Sequence, residues 1–124
     1  MSLVTSEIRS AENLVTELFS IIDGCRWDDL PGVFAPDCVY DRPGYEPLIG
    51  LARIQLFYRE ERVIGSGSHH VLHVVSNLEA AACWGRFTGV SKIGHPLDEE
   101  FADTYTVRNS RIVHRQTYFY RPAI

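Results

Sequence analysis

The residues most able to do chemistry are a few acids and histidines set among aromatic side chains. Phe101, Asp103, Tyr105 and Val107 alternate, so in a strand they share one face. Two aromatics and a valine then flank a single acid. If that face is the apolar one, desolvation favours the neutral form of Asp103. The other reading is that Asp103 pairs with an arginine or caps a backbone group, and both stay open. Asp41 stands between Tyr40 and the turn signal Arg42-Pro43-Gly44, with Tyr45 beyond. A carboxylate on a rigid turn beside aromatics can serve as a general base, and a turn-initiating Asp is the plainer alternative. His69, His70 and His73 fall in one stretch. Regular alternation puts His69 and His73 on one face and His70 on the other. Two histidines without a matched third ligand are a weak metal signal, and a lone inward histidine is an acid–base group or a core hydrogen-bonder. Cys25, Cys38 and Cys83 form no CxxC pair, so zinc and redox-pair chemistry are not indicated; they read as small hydrophobes, with a nucleophile as the alternative.

Trp27, Phe34, Tyr58, Trp84, Tyr118 and Tyr120 are large enough to dominate a core. Some of them should line a cavity and favour a flat apolar ligand. There is no GxGxxG, P-loop or GxSxG motif, which argues against nucleotide cofactors and serine-hydrolase chemistry.

These residues must be positioned by helices in the first half and strands in the second. Ile8, Ala11, Leu14, Val15, Leu18, Phe19 and Ile22 recur at helical spacing and predict a helix over about 6–23, capped by Thr5 or Ser6 and ended by Gly24. Trp27, Leu30, Val33 and Phe34 predict a shorter helix with Pro31 near its start and Pro36 beyond its end, and Leu51, Ile54, Phe57 and Tyr58 a third over about 50–62. Cys38–Asp41 reads as a short strand. Gly65-Ser66-Gly67-Ser68 reads as a flexible break, followed by strands at 69–78, 81–93, 98–107 and 111–120 rich in Val, Tyr, Phe and Thr. Helices first and strands later predict an α+β fold rather than βαβ units. A twisted sheet curls, and helices laid on its concave side leave a conical cavity.

The 124 residues suit one domain spanning 1–124, with no internal repeat. An apolar fraction of 45% and a net charge of −4 without a basic cluster argue against nucleic-acid or anionic-membrane partners. No run approaches the roughly 18 apolar residues of a membrane span. The opening MSLVTSEIRSAENL lacks the form of a secretory signal, so a cytoplasmic protein is expected.

Several segments together resemble the nuclear-transport-factor-2-like superfamily, in particular its SnoaL-like and ketosteroid-isomerase-like branch. Ile22-Asp23-Gly24-Cys25-Arg26-Trp27-Asp28-Asp29-Leu30 is similar to its helix-end signature. Val39-Tyr40-Asp41-Arg42-Pro43-Gly44 resembles its strand end, and His73-Val74-Val75-Ser76-Asn77 an "H-x-x-x-N" strand. Phe101-Ala102-Asp103-Thr104-Tyr105 followed by Ser110-Arg111-Ile112 resembles the closing hairpin. The resemblance implies a cystatin-like cone: three N-terminal helices packed on a strongly curved antiparallel sheet around a pocket. It implies an isomerase, cyclase or dehydratase acting without metal or organic cofactor on a hydrophobic carbonyl compound such as a polyketide, steroid or terpenoid. By that likeness Asp41 falls on the proton-shuttling base, Asp103 on the protonated oxyanion-hole acid, and Tyr58 on a supporting tyrosine. His73 falls on the histidine of scytalone-dehydratase-like enzymes. Trp27, Phe34, Trp84, Tyr105 and Tyr118 would contact the ligand. The isomerase's main oxyanion tyrosine is replaced by Leu18 and another by Phe34, while the first-helix acid of scytalone dehydratases falls near Ser20. The alternative is a non-catalytic module of the same fold that binds a hydrophobic ligand or a partner. A homodimer is expected through the outer sheet face, which carries residues such as Trp84 or Phe119.

Overall fold

A computed structural model describes residues 9–122. Helix α1 spans Ala11–Asp23, and its apolar stripe of Leu14, Val15, Leu18, Phe19, Ile21 and Ile22 is buried. Ser10 caps its start, Oγ accepting from the Asn13 N–H at 3.0 Å. The expected helix start at about residue 6 and the caps Thr5 and Ser6 lie outside the described residues. The helix ends in a backbone reversal: Cys25 N–H donates to Ile22 O and Arg26 N–H to Ile21 O. That pattern places one residue in the left-handed region, and Cys25 takes it (φ 53°) although Gly24 is its neighbour.

The second helix is a 3-10 segment, Trp27–Gly32, with Pro31 inside it; it stops short of Val33, and Phe34, expected in the helix, instead opens the first strand. Helix α2, Leu51–Leu56, runs on into a π-helical turn, Phe57–Glu61, so the third helical stretch is present but changes its winding. No described helix is long and apolar enough to cross a membrane.

Among the described residues, six strands form one sheet: β1 Phe34–Asp41, β2 Leu48–Ile49, β3 Ile64–Ser76, β4 Ala80–Ser91, β5 Pro96–Arg108 and β6 Arg111–Phe119. Their order is β2-β1-β6-β5-β4-β3; β1 runs parallel to β6 and every other pair is antiparallel. The fold is thus α+β, with a curved sheet and the helices on its N-terminal side. Strand β5 alternates as expected: Phe101, Asp103, Tyr105 and Val107 are buried while Glu100, Thr104 and Thr106 are exposed. The buried row meets Leu14, Leu18, Phe19, Leu30, Phe34, Ile54 and Phe57 in one core. Each such large side chain removed from water contributes about 1.5–3 kcal/mol.

The Gly65–Ser68 stretch is not a break, because β3 already runs through it. Glycine is needed there for close approach: a Cβ at Gly67 would lie 2.3 Å from the Phe87 ring and 2.6 Å from Thr88 O. At the other end of β3, Asn77 Oδ1 accepts from the Glu79 and Ala80 N–H groups and makes the β3–β4 turn.

Candidate functional site

The inner sheet face carries a buried polar network centred on Asp103. Arg115, opposite Tyr105 on β6, donates from Nε and Nη2 to Asp103 Oδ2 at 3.1 and 2.9 Å. Tyr105 donates to the same oxygen at 2.6 Å, and Thr117 to Oδ1 at 2.6 Å. Every bond at this carboxyl is accepted, so of the two open readings the structure gives Asp103 an arginine partner. Arg115 also donates to Tyr58 Oη at 2.8 Å and lies over the Tyr40 ring at 4.5 Å. Tyr40 Oη in turn meets Thr117 Oγ1 at 2.8 Å and accepts from Arg42 at 3.0 Å. Burial disfavours the Arg115 cation, but Asp103 and the three tyrosines outweigh it and hold its pKa well above the ordinary value. Burial pushes the Tyr58 hydroxyl up to about 12 against the pull of Arg115. Burial likewise raises the Cys38 and Cys83 thiols, to about 12 and about 11, so neither is a ready nucleophile.

A second polar pair opens to solvent where α1 meets edge strand β3. Asp23, in the last turn of α1, takes both donors of His69: the backbone N–H on Oδ2 at 2.8 Å and ring Nδ1 on Oδ1 at 2.6 Å. The carboxylate fixes the tautomer, leaving the Nε2 lone pair available. The ring stacks on Phe19 (centroids 4.4 Å apart) and packs against Phe87 and Phe101. Burial lowers the pKa of His69, Asp23 raises it in part, and Arg115 lowers it further. A groove of about 410 Å³ runs along this seam, lined by Val15, Thr16, Phe19, Ser20, Asp23, His69, Val71 and Val74. The arrangement has the parts of a general base: an oriented imidazole, mostly buried, at the wall of a groove whose lining is part polar and part apolar.

Of the four expected catalytic residues, Asp103 and Tyr58 are brought together, through Arg115. Asp41 and His73 are not brought to them. Asp41 pairs in register with Gln116 on the outer sheet face and bonds His114 Nε2 at 2.7 Å. His73 also stands outside, its ring 5.2 Å from that of Trp84. The shared face expected for His69 and His73 fails because β3 slips register between Val71 and His73, and the extra residue turns His73 outward. The expected ligand contacts divide likewise. Phe34 and Tyr105 are core residues, and Trp27 stacks on Tyr58 at 4.8 Å. Trp84 and Tyr118 line an outer cleft of about 350 Å³. Leu18, where the isomerase resemblance needs a tyrosine, is wholly buried in the core.

Asp23 was visible in the sequence only as part of a helix-end signature, and His69 only as one of three histidines. Forty-six residues separate them, so no local spacing announces the pair.

The fold is a helix-on-sheet cone, and the Asp23–His69 pair lies where α1 meets β3. The chain belongs to the SnoaL-like domain family, whose model matches residues 15–115. No curated protein sequence matches it. Among solved structures it is similar to a nuclear-transport-factor-2-like protein from Anabaena variabilis (TM-score 0.78, 18% identity, 91% of this chain and 88% of that one). It is also similar to a protein classed with SnoaL-like polyketide cyclases from Jannaschia sp. CCS1 (TM-score 0.74, 14% identity, 86% and 83%). A third is an M. tuberculosis epoxide hydrolase of the LEH-like kind (TM-score 0.75, 16% identity, 93% and 83%). At these identities the likeness is one of fold, and the family supports an enzymatic or ligand-binding role.

Proposed function

We propose that the protein is an acid–base enzyme of the isomerase, cyclase or dehydratase kind, acting without a cofactor on a hydrophobic carbonyl compound of polyketide, steroid or terpenoid character. The observation that carries this reading is the 2.6 Å Asp23–His69 bond at the wall of the groove between α1 and β3. His69 Nε2 takes a proton from the carbon next to the substrate carbonyl, and Asp23 steadies the imidazolium that forms. Asp103, Arg115 and Tyr58 support the site from behind: the Arg115 guanidinium sits 5.6 Å from the centroid of Phe19, the ring on which His69 stacks. Asp41 and His73, across the sheet, take no part in groove chemistry under this reading. The neighbours described as a polyketide cyclase and an epoxide hydrolase are in keeping with small-molecule chemistry on this scaffold.

The test is deuterium exchange, followed by NMR in D₂O, at the α-carbon of a panel of bicyclic and long-chain ketones. Wild-type protein should accelerate exchange for at least one of them and His69→Gln should abolish that acceleration. Equal rates in the two would overturn the assignment.

A second reading, a non-catalytic binding module, is favoured by the filled cone interior, where Asp103, Arg115, Tyr40 and Tyr58 are all buried. Under it the same ketones bind the groove without exchange. In either case the exposed Leu72, Val75, Trp84 and Tyr118 on the outer face suit a homodimer. Sedimentation at micromolar concentration should find two chains, and Trp84→Glu should give one.

A further inference from the structure

The groove has a second polar element besides the dyad. Ser20 lines it one turn before Asp23, about 4.5 Å along the helix axis. Its Oγ accepts a hydrogen bond from Arg26 Nη2 at 2.9 Å. Because that lone pair is taken by a cation, the hydroxyl proton is free to turn toward a ligand and is made a stronger donor. The local fold explains how a residue beyond the helix comes to lie there. The reversal at Cys25 sends the chain back over the last turn, and Arg26 packs against Gly24, where a Cβ would stand 3.3 Å from its Nε. Gly24 thus leaves room for Arg26 to fold back onto Ser20.

We infer that Ser20, polarised by Arg26, is the oxyanion donor of this groove, and that the ligand is an extended amphiphile with its enolisable carbonyl at the Ser20–His69 end and its apolar body along Val15, Phe19, Val71 and Val74. This inference rests on the base assigned to His69. The step balances within the substrate and these side chains. The α C–H bond breaks, its proton goes to His69 Nε2, and the electron pair moves to the carbonyl oxygen, which accepts the Ser20 hydrogen bond. Return of the proton to the same or a conjugated carbon restores the imidazole. Thr16 and Ser20 stand exposed at the lip of the groove, while Val15 and Phe19 are buried below them. The lining of α1 from Val15 to Asp23 covers nine residues and eight helical rises, roughly 12 Å, which sets the length of ligand that reaches both ends.

Ser20 is on the surface of α1, so its variants should fold. The probe is 4-nitrophenol, whose phenolate absorbs in the visible and mimics an enolate oxygen. Wild-type protein should bind the phenolate more tightly than the phenol and move its ionisation to lower pH. Ser20→Ala should weaken phenolate binding by ~10- to 100-fold, the scale of one hydrogen bond to a charged acceptor, and Ser20→Thr should restore it. Arg26→Met and Gly24→Ala should each reduce the ionisation shift, with Arg26→Lys recovering part of it, an effect that a purely structural Arg26 would not produce. Unchanged phenolate affinity in Ser20→Ala overturns the inference, whatever the exchange assay shows. Ketone exchange lost in His69→Gln but unaltered in Ser20→Ala also overturns it and leaves the base standing. Exchange unaffected by His69→Gln removes the base instead, and the Ser20-dependence of phenolate binding then decides the donor alone.

Discussion

Asp23 holds His69 twice, by its backbone N–H and by its ring, and so joins the end of α1 to the edge of the sheet. One carboxylate thereby sets both the position of the strand and the tautomer of the imidazole. The two effects separate by substitution. Asp23→Asn keeps the size and a hydrogen bond, but its amide can present an N–H to Nδ1 and draw the ring proton to Nε2, removing the base. Ketone exchange should fall by ~10²- to 10⁴-fold, the usual weight of a general base, while the thermal midpoint changes little. A loss of exchange matched by a collapse in stability would make Asp23 a structural tie only.

The same histidine should make stability depend on pH. Burial lowers its pKa in the folded state, so the unfolded chain binds the extra proton more readily. The His69 contribution is complete above the unfolded value of about 6.5 and is lost as pH falls from there through the lower folded value. Urea midpoints between pH 8 and pH 5 should therefore decline in the wild type, and the decline should be shallower in His69→Gln. Identical pH slopes in the two proteins would exclude His69 as the source.

Arg115 and Asp103 test how the interior is held. Their side chains are 3% and 0% exposed, and the carboxylate takes all four of its bonds from protein donors. Arg115→Met leaves an uncompensated buried charge and should cost about 3–5 kcal/mol in urea unfolding. Replacing both partners, Arg115→Met with Asp103→Leu, should recover a large part of that. A double variant no more stable than the single one would mean that Tyr58 and Tyr105 depend on the pair for their own positions.

How far the molecule could be read in advance follows from the range of each signal. The stripe of α1 and the alternation of β5 are local periodicities, and both appear in the structure, but alternation alone does not decide which face of β5 is buried. His73 was misplaced because a single-residue register slip inverts every parity beyond it, and no residue type near Val71 and Leu72 marks the slip. The face of Asp41 depends on a parallel pairing with β6 more than seventy residues away, which no turn motif announces. Asp103 could be placed but not partnered, because Arg115 reaches it from another strand. The helix-to-strand tie between Asp23 and His69 is non-local in the same way. Chemistry assembled across elements was hidden for that reason, while chemistry within one strand was legible.

Gly67 offers a test that reaches His69 without touching it. Its missing side chain is where the Phe87 ring sits, and Phe87 packs at 4.8 Å against the His69 ring. Gly67→Ala places a methyl 2.3 Å from Phe87 Cζ and 2.6 Å from Thr88 O, so the ring and the β4 backbone must both give. Overpacking of this kind costs about 1–3 kcal/mol. The displaced phenyl should press on His69 and disturb its seat between Phe19 and Asp23, visible as a shifted imidazole resonance and a changed titration midpoint in NMR. Pairing Gly67→Ala with Phe87→Leu removes the outer ring atoms that clash, and should return the His69 resonance toward its wild-type position while the Thr88 contact persists. If Gly67→Ala lowers stability but leaves the His69 titration unmoved, Phe87 fills space and does not seat the imidazole.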